Sequence, residues 1–147
     1  MGSAEDKLDI LEIIGRYSFG ADEFGPEAYA GVFTVEGVFQ GRSGQPDEIT
    51  IRGRNQLLAF ARGVFERMGK RQNRHHQSST YFLELVSDRA KTRTYLLTTT
   101  VSEGGNPQVG LTSIYEDHFV RTAEGWRIQS RKVFPDVKGT LREIIRS

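Results

Sequence analysis

The second half of this chain is dominated by four long β-rich runs with short turn-forming breaks between them, and this restricts the fold more than any other feature. The runs are His75 to Val86, Ala90 to Val101, Gln108 to Arg121 and Trp126 to Phe134. Val, Ile, Thr, Tyr and Phe recur along them, and such residues suit a pleated, half-buried surface. The breaks contain Ser87-Asp88-Arg89, Gly104-Gly105-Asn106-Pro107 and Thr122-Ala123-Glu124-Gly125. Connections this short leave no room for crossover helices, so successive strands are predicted to pair as antiparallel hairpins.

The first half reads differently. A helix is expected from about Asp6 to Phe19, because Ile10, Ile13, Ile14 and Tyr17 recur at helical spacing beside a stripe of Leu11, Ile14 and Ser18. Gly20 is expected to end it. Gly25-Pro26 opens a second, short helix running through Phe33, with the proline at a favoured first-turn position. Gly37 to Gln40 and Ile49 to Arg52 read as short strands flanking a polar loop from Gly41 to Glu48. A third helix is expected from about Asn55 to Met68 and ends at Gly69, with one or two further helical turns over Thr140 to Arg146. Helices followed by an antiparallel sheet form the α+β pattern. No repeat or linker interrupts the 147 residues, so one domain is expected.

Composition excludes several roles. Twenty basic against nineteen acidic residues leave a formal charge of +1, which steers neither nucleic acid nor an anionic membrane toward the chain. With no cysteine there is no disulfide and no thiol chemistry. The N-terminal residues lack the basic and apolar runs of a secretory leader, and no apolar run approaches the roughly 20 residues that span a bilayer. A cytoplasmic protein is expected. Three histidines without a second at ligand spacing make no metal site. Gly104-Gly105-Asn106 is a turn rather than a phosphate loop, because no helix follows it.

Two of the three histidines form a doublet, His75-His76, at the start of the first long strand. Histidine is the side chain best suited to proton transfer near neutral pH. Alternation along a strand sends the two rings to opposite faces. Asp22, with Glu23 beside it, lies where the chain turns after the first helix, and Tyr17 lies one turn earlier. Phe33, Phe39, Phe60, Phe65, Phe82 and Trp126 read as core or pocket wall.

The phrase Tyr17-Ser18-Phe19-Gly20-Ala21-Asp22, the strand start Arg74-His75-His76, and Glu124-Gly125-Trp126-Arg127-Ile128 followed by Arg131 together resemble the SnoaL-like branch of the nuclear transport factor 2-like (NTF2-like) superfamily. The resemblance covers nearly the whole chain. It implies a cone-shaped α+β barrel, in which a curved antiparallel sheet and N-terminal helices enclose a pocket. The group containing scytalone dehydratase, hexachlorocyclohexane dehydrochlorinase and bile acid dehydratase looks most similar. Counting back from Glu84-Leu85-Val86-Ser87, that group's catalytic histidine falls on His76, its aspartate on Asp22 and its arginine on Arg131. Thr80, Val35 and Gly37 depart from the pattern, which bears on the substrate.

The resemblance implies a cofactor-independent lyase or isomerase, in which His76 works as the base, Asp22 supports it and Arg131 steadies a developing anion. Tyr17, His75, Phe39 and Phe65 would then contact an apolar, cyclic small molecule of polyketide or steroid kind. A homodimer or homotrimer is expected, with neither nucleic acid nor membrane as partner. Two other readings share the fold. One is a non-catalytic ligand-binding or dimerising module, and the other is the small subunit of an aromatic-ring dioxygenase.

Overall fold

The computed structural model describes residues 2–136, and the expected turns over Thr140 to Arg146 lie outside the described residues. Its elements are α1 (Ala4–Phe19), a π-helical turn (Gly20–Phe24), α2 (Pro26–Gly31), β1 (Phe33–Gly41), β2 (Ile49–Arg52), α3 (Arg54–Met68), β3 (Gln72–Val86), β4 (Arg89–Val101), β5 (Gln108–Thr122) and β6 (Gly125–Pro135). This is the expected α+β architecture: a curved six-stranded sheet with the helices preceding its long strands.

The hairpins follow the sequence closely. β3–β4, β4–β5 and β5–β6 are all antiparallel, and the sheet order is β2-β1-β6-β5-β4-β3. One pairing departs from the expected antiparallel sheet: β1 runs parallel to β6. The intervening chain carries a helix and four strands, so it can return β6 to the edge of β1 in the same direction. β1 is also longer than expected. It begins at Phe33, where the second helix was expected to end, because α2 stops at Gly31.

Helix α1 starts two residues earlier than its apolar pattern indicates. Ser3 caps it, its hydroxyl accepting from the Asp6 amide while the Asp6 carboxylate accepts from the Ser3 amide. Its buried stripe is Ile10, Ile13, Ile14, Tyr17 and Ser18, and Leu11 stays exposed.

Gly20 does not end the helix. It keeps a right-handed helical conformation, and the backbone continues into the π turn. The residue is glycine because α2 crosses close by: a Cβ there would lie 2.8 Å from the Tyr29 nitrogen and 3.0 Å from the Ala28 carbonyl carbon. The close crossing lets the π turn bring Asp22 inward. Gly25, with φ +109°, then turns the chain into α2.

The core lies between the helices and the concave face of the sheet, with Ile10, Phe33, Leu57, Phe119 and Ile128 almost wholly buried. Asp6 fastens α1 to this sheet by accepting from Arg121 Nη2 at 2.6 Å and Trp126 Nε1 at 3.1 Å. The Ser3 backbone bond, then Arg121 and Trp126, hold its carboxyl well below the usual carboxylate range. A depressed carboxylate contributes its stability above the unfolded pKa of about 4, and the contribution is lost as pH falls toward the folded value. Asp6→Asn should therefore lower the melting temperature at pH 7, and the gap from the parent should close as pH falls below about 4. Thermal melts across that range check this; a gap that does not change with pH contradicts it.

Candidate active site

The π turn and the first residues of β3 meet at one point. The Asp22 carboxylate accepts two hydrogen bonds there, from the His75 backbone amide (2.7 Å, to Oδ2) and from the His75 ring at Nδ1 (2.5 Å, to Oδ1). The first bond fixes the strand end against the turn, and the second fixes the ring. Only 8% of the Asp22 side chain is exposed, against 22% of the His75 side chain. The carboxylate is thus shielded behind an imidazole that still reaches accessible space. Because Nδ1 is committed to Asp22, Nε2 is the nitrogen left for a ligand.

The expected pairing of Asp22 with His76 is therefore corrected: its partner is His75. The two rings do point to opposite faces, but the assignment of faces is reversed. His76 lies exposed on the outer face, with Nε2 2.8 Å from Thr99 Oγ1 across the β3–β4 ladder. The half-buried side chains of β3 are Asn73, His75 and Gln77, then Thr80 and Phe82, then Leu85, so His75 and not His76 lies on the covered side. The register shifts between Ser78 and Thr80 and again between Phe82 and Glu84, and each shift breaks strict alternation. Ser79, at the first bulge, has φ +55°.

Arg131 does point inward, as expected, and is completely buried. It faces Asp117 across β5–β6, in direct register. Nε donates to Oδ1 at 2.7 Å and Nη2 to Oδ2 at 2.8 Å, a two-pronged pair with no solvent access. Nη2 also donates to Gln77 Oε1 at 3.0 Å, while the Gln77 amide donates to Ser18 Oγ and the Ile14 carbonyl. The tyrosines Tyr17 and Tyr115 flank the guanidinium, with ring centroids 4.1 and 3.9 Å from its carbon. Burial opposes the charge, but Asp117 more than offsets this and holds Arg131 above the usual arginine value. Burial also pushes the Tyr115 and Tyr29 phenols well above their ordinary range, with Tyr17 adding to the effect.

Tyr17 connects the two constellations. Its ring lies edge-on to His75 at 6.0 Å between centroids and also packs on Tyr29 and Tyr115. At 3% exposure it is part of the core. Of the two phenylalanines expected to contact the small molecule, Phe39 is buried and stacks on Phe60 at 5.9 Å, while Phe65 is half-buried on α3. A depression of about 670 Å³ on the outer side of β1 and β6, beside Val35, Glu36 and Lys132, contains none of the expected site residues. Among the described residues no three His, Asp or Glu side chains gather as a metal site, and no helix is long and apolar enough to cross a membrane.

Three participants were not anticipated: Asp117, Gln77 and Ser18. A partial signal existed for two of them. Gln77 is two residues from His75 and so shares its face, and Asp117 alternates with Ser113, Tyr115 and Phe119 on the inward face of β5.

A family model for the SnoaL-like domain matches residues 2–132, so the chain belongs to the SnoaL-like family, within the NTF2-like superfamily. Solved structures share its fold. Rv3472 from Mycobacterium tuberculosis, described as of unknown function, is 25% identical, with a TM-score of 0.79 over 91% of this chain and 78% of its own. An NTF2-like protein with a cystatin-like fold from Novosphingobium aromaticivorans is 24% identical, with a TM-score of 0.77 over 96% of this chain and 89% of its own. A Catenulispora acidiphila protein, solved in complex with S-DNPA, is 24% identical, with a TM-score of 0.77 over 99% of this chain and all of its own. No curated protein matches the chain significantly.

Removing one partner of a buried ion pair leaves an uncompensated charge, which costs about 3–5 kcal/mol. Arg131→Met and Asp117→Leu should each destabilise by about that much, and the double variant should lose clearly less than the sum. Urea unfolding of the three variants checks this; additive losses contradict it.

Proposed function

We propose that this chain is a small lyase or isomerase that removes a proton from an apolar, cyclic small molecule, using His75 as base and Asp22 as its support. The observation that carries the reading is the double hold of the buried Asp22 carboxylate on the amide and Nδ1 of His75. This arrangement prepares Nε2 to accept a proton and stabilises the imidazolium that forms. The electron pair of the broken C–H bond moves toward a neighbouring carbonyl, giving an enolate. The proton then returns from Nε2, either to another carbon, which shifts a double bond, or to a departing hydroxyl, which leaves as water. No cofactor takes part in this scheme.

The remaining residues fit that chemistry. Phe39, Phe60 and Phe65 offer apolar surface for a ring system. Arg131 Nη1 is buried and has no hydrogen-bond partner among the described residues, so it is the donor proposed to meet oxygen as negative charge develops there. Within the family, this reading places the chain with the dehydratase and dehydrochlorinase group, but with His75 in the role the resemblance gives to His76.

Candidate cyclic ketones incubated in D₂O report the base directly, through exchange of protons beside the carbonyl. His75→Ala should reduce exchange by about 10²–10⁴-fold, the usual contribution of a positioned base, while His76→Ala stays within a few-fold of the parent. Equal losses would contradict the assignment. Ligand binding without any exchange would favour a binding module instead.

We further propose that the outer sheet face pairs two copies. Tyr95, Ile114 and Phe134 form a row across β4, β5 and β6, with Tyr95 60% and Phe134 38% exposed. Beside it run Arg93, Glu116 and Lys132, also in register. A two-fold-related copy can therefore cover the apolar row while setting Arg93 against Glu116. Sedimentation should show a dimer that Tyr95→Arg converts to monomer; a parent protein that is monomeric at tens of micromolar contradicts this.

A further inference from the structure

A second arginine, Arg42, is buried, and only one of its three guanidinium nitrogens is hydrogen-bonded among the described residues. It follows the last residue of β1 and adopts φ +53°, which is rare for any residue but glycine. Its side chain is only 5% exposed. Nε donates to Asp47 Oδ1 at 2.8 Å, but Nη1 and Nη2 are both buried and have no hydrogen-bond partner among the described residues. The loop that carries it is firmly held. The Ser43 amide donates to the Val133 carbonyl at 2.8 Å, the Gln45 amide to the Arg42 carbonyl at 3.1 Å, and the Gly44 amide to Glu48 at 2.7 Å.

Buried polar groups are almost always hydrogen-bonded, and a guanidinium carries its charge over all three nitrogens. Two adjacent η nitrogens without acceptors therefore form an incomplete site. The free edge is a planar fork that matches the two oxygens of one carboxylate. Apolar residues adjoin the loop beside Asp47 and Glu48: Ile49 pairs with Gly41, next to Arg42, and the Val133 carbonyl accepts from the Ser43 amide, and both residues pack against the core cluster that contains Phe39. β1 pairs with β6 at Phe39↔Arg131 and Gln40↔Lys132, so Arg42 lies farther along the same two strands than Arg131.

We propose that Arg42 is the anchor for a carboxylate on an apolar small molecule, held through its Nη1–Nη2 edge while Asp47 orients the guanidinium through Nε. The site recognises one charged end of an otherwise apolar body. It does not depend on the acid/base reading, because it uses neither His75 nor Asp22.

Titration calorimetry with 2-naphthoate and 2-naphthamide tests the proposal, since the two probes share a shape and differ in charge. The parent protein should bind 2-naphthoate at least about tenfold more tightly, the scale of a charge-assisted two-pronged bond. Arg42→Gln should bring the two affinities within about threefold while keeping that for 2-naphthamide, and its melting curve shows whether it is folded. A crystal of the parent protein with 2-naphthoate gives a readout independent of any variant, with the carboxylate expected on the η edge of Arg42. His75→Gln should keep the preference, which separates failure of this site from failure of the dyad. Equal affinities in the parent, no binding of either probe, a preference that survives in folded Arg42→Gln, or a carboxylate seated elsewhere would each overturn the proposal.

Discussion

A guanidinium buried at the centre of a sheet has to be neutralised where it sits, and much of this fold is arranged to do that for Arg131. Transferring an isolated charge from water into a protein interior costs several kcal/mol even after relaxation. Asp117 supplies the opposite charge from the neighbouring strand, and Gln77 supplies an acceptor from the far side. Tyr17 and Tyr115 close over the two faces of the guanidinium. These four residues come from α1, β3 and β5, so the guanidinium on β6 ties the helix and three strands to one another. A pair of this kind adds little net stability compared with an apolar replacement. Its effect here is positional, because the hydrogen bonds are satisfied in one arrangement of those elements.

The dyad inherits that arrangement. Gln77 is held by Arg131, Ser18 and the Ile14 carbonyl, which sets the inward face of β3 against α1. His75 lies two residues along on the same face, beside the Tyr17 ring. Asp22 reaches it from the π turn, whose path depends on the close crossing of α2 at Gly20. Asp22 and His75 are thus fixed from both sides, by the Gln77 bonds along β3 and by the path of the π turn.

Much of this was legible in the sequence. The hairpins follow from long β-rich runs with short breaks, and the helices from stripes such as Ile10, Ile13, Ile14 and Tyr17. Asp22 and the inward position of Arg131 were legible through resemblance to the family. The choice between His75 and His76 was not, because the count back from Glu84 rested on resemblance and did not report which face of β3 the first helix and the π turn cover. Asp117 and Gln77 escaped because their importance lies in a partner on another strand, and single-strand patterns do not report such pairings. The parallel contact of β1 with β6 escaped for the same reason. The incomplete bonding of Arg42 depends on burial, which no local pattern of charges reveals.

The central claim is that Asp22 fixes the His75 ring with its proton on Nδ1 and its lone pair on Nε2. Nitrogen-15 NMR of the imidazole, recorded at a pH where the ring is neutral, reads the tautomer directly. The account predicts a protonated Nδ1 and a bare Nε2 for His75 in the parent protein, with this preference lost in Asp22→Leu. A bare Nδ1 in the parent, or a tautomer unchanged by loss of the Asp22 carboxylate, would contradict it.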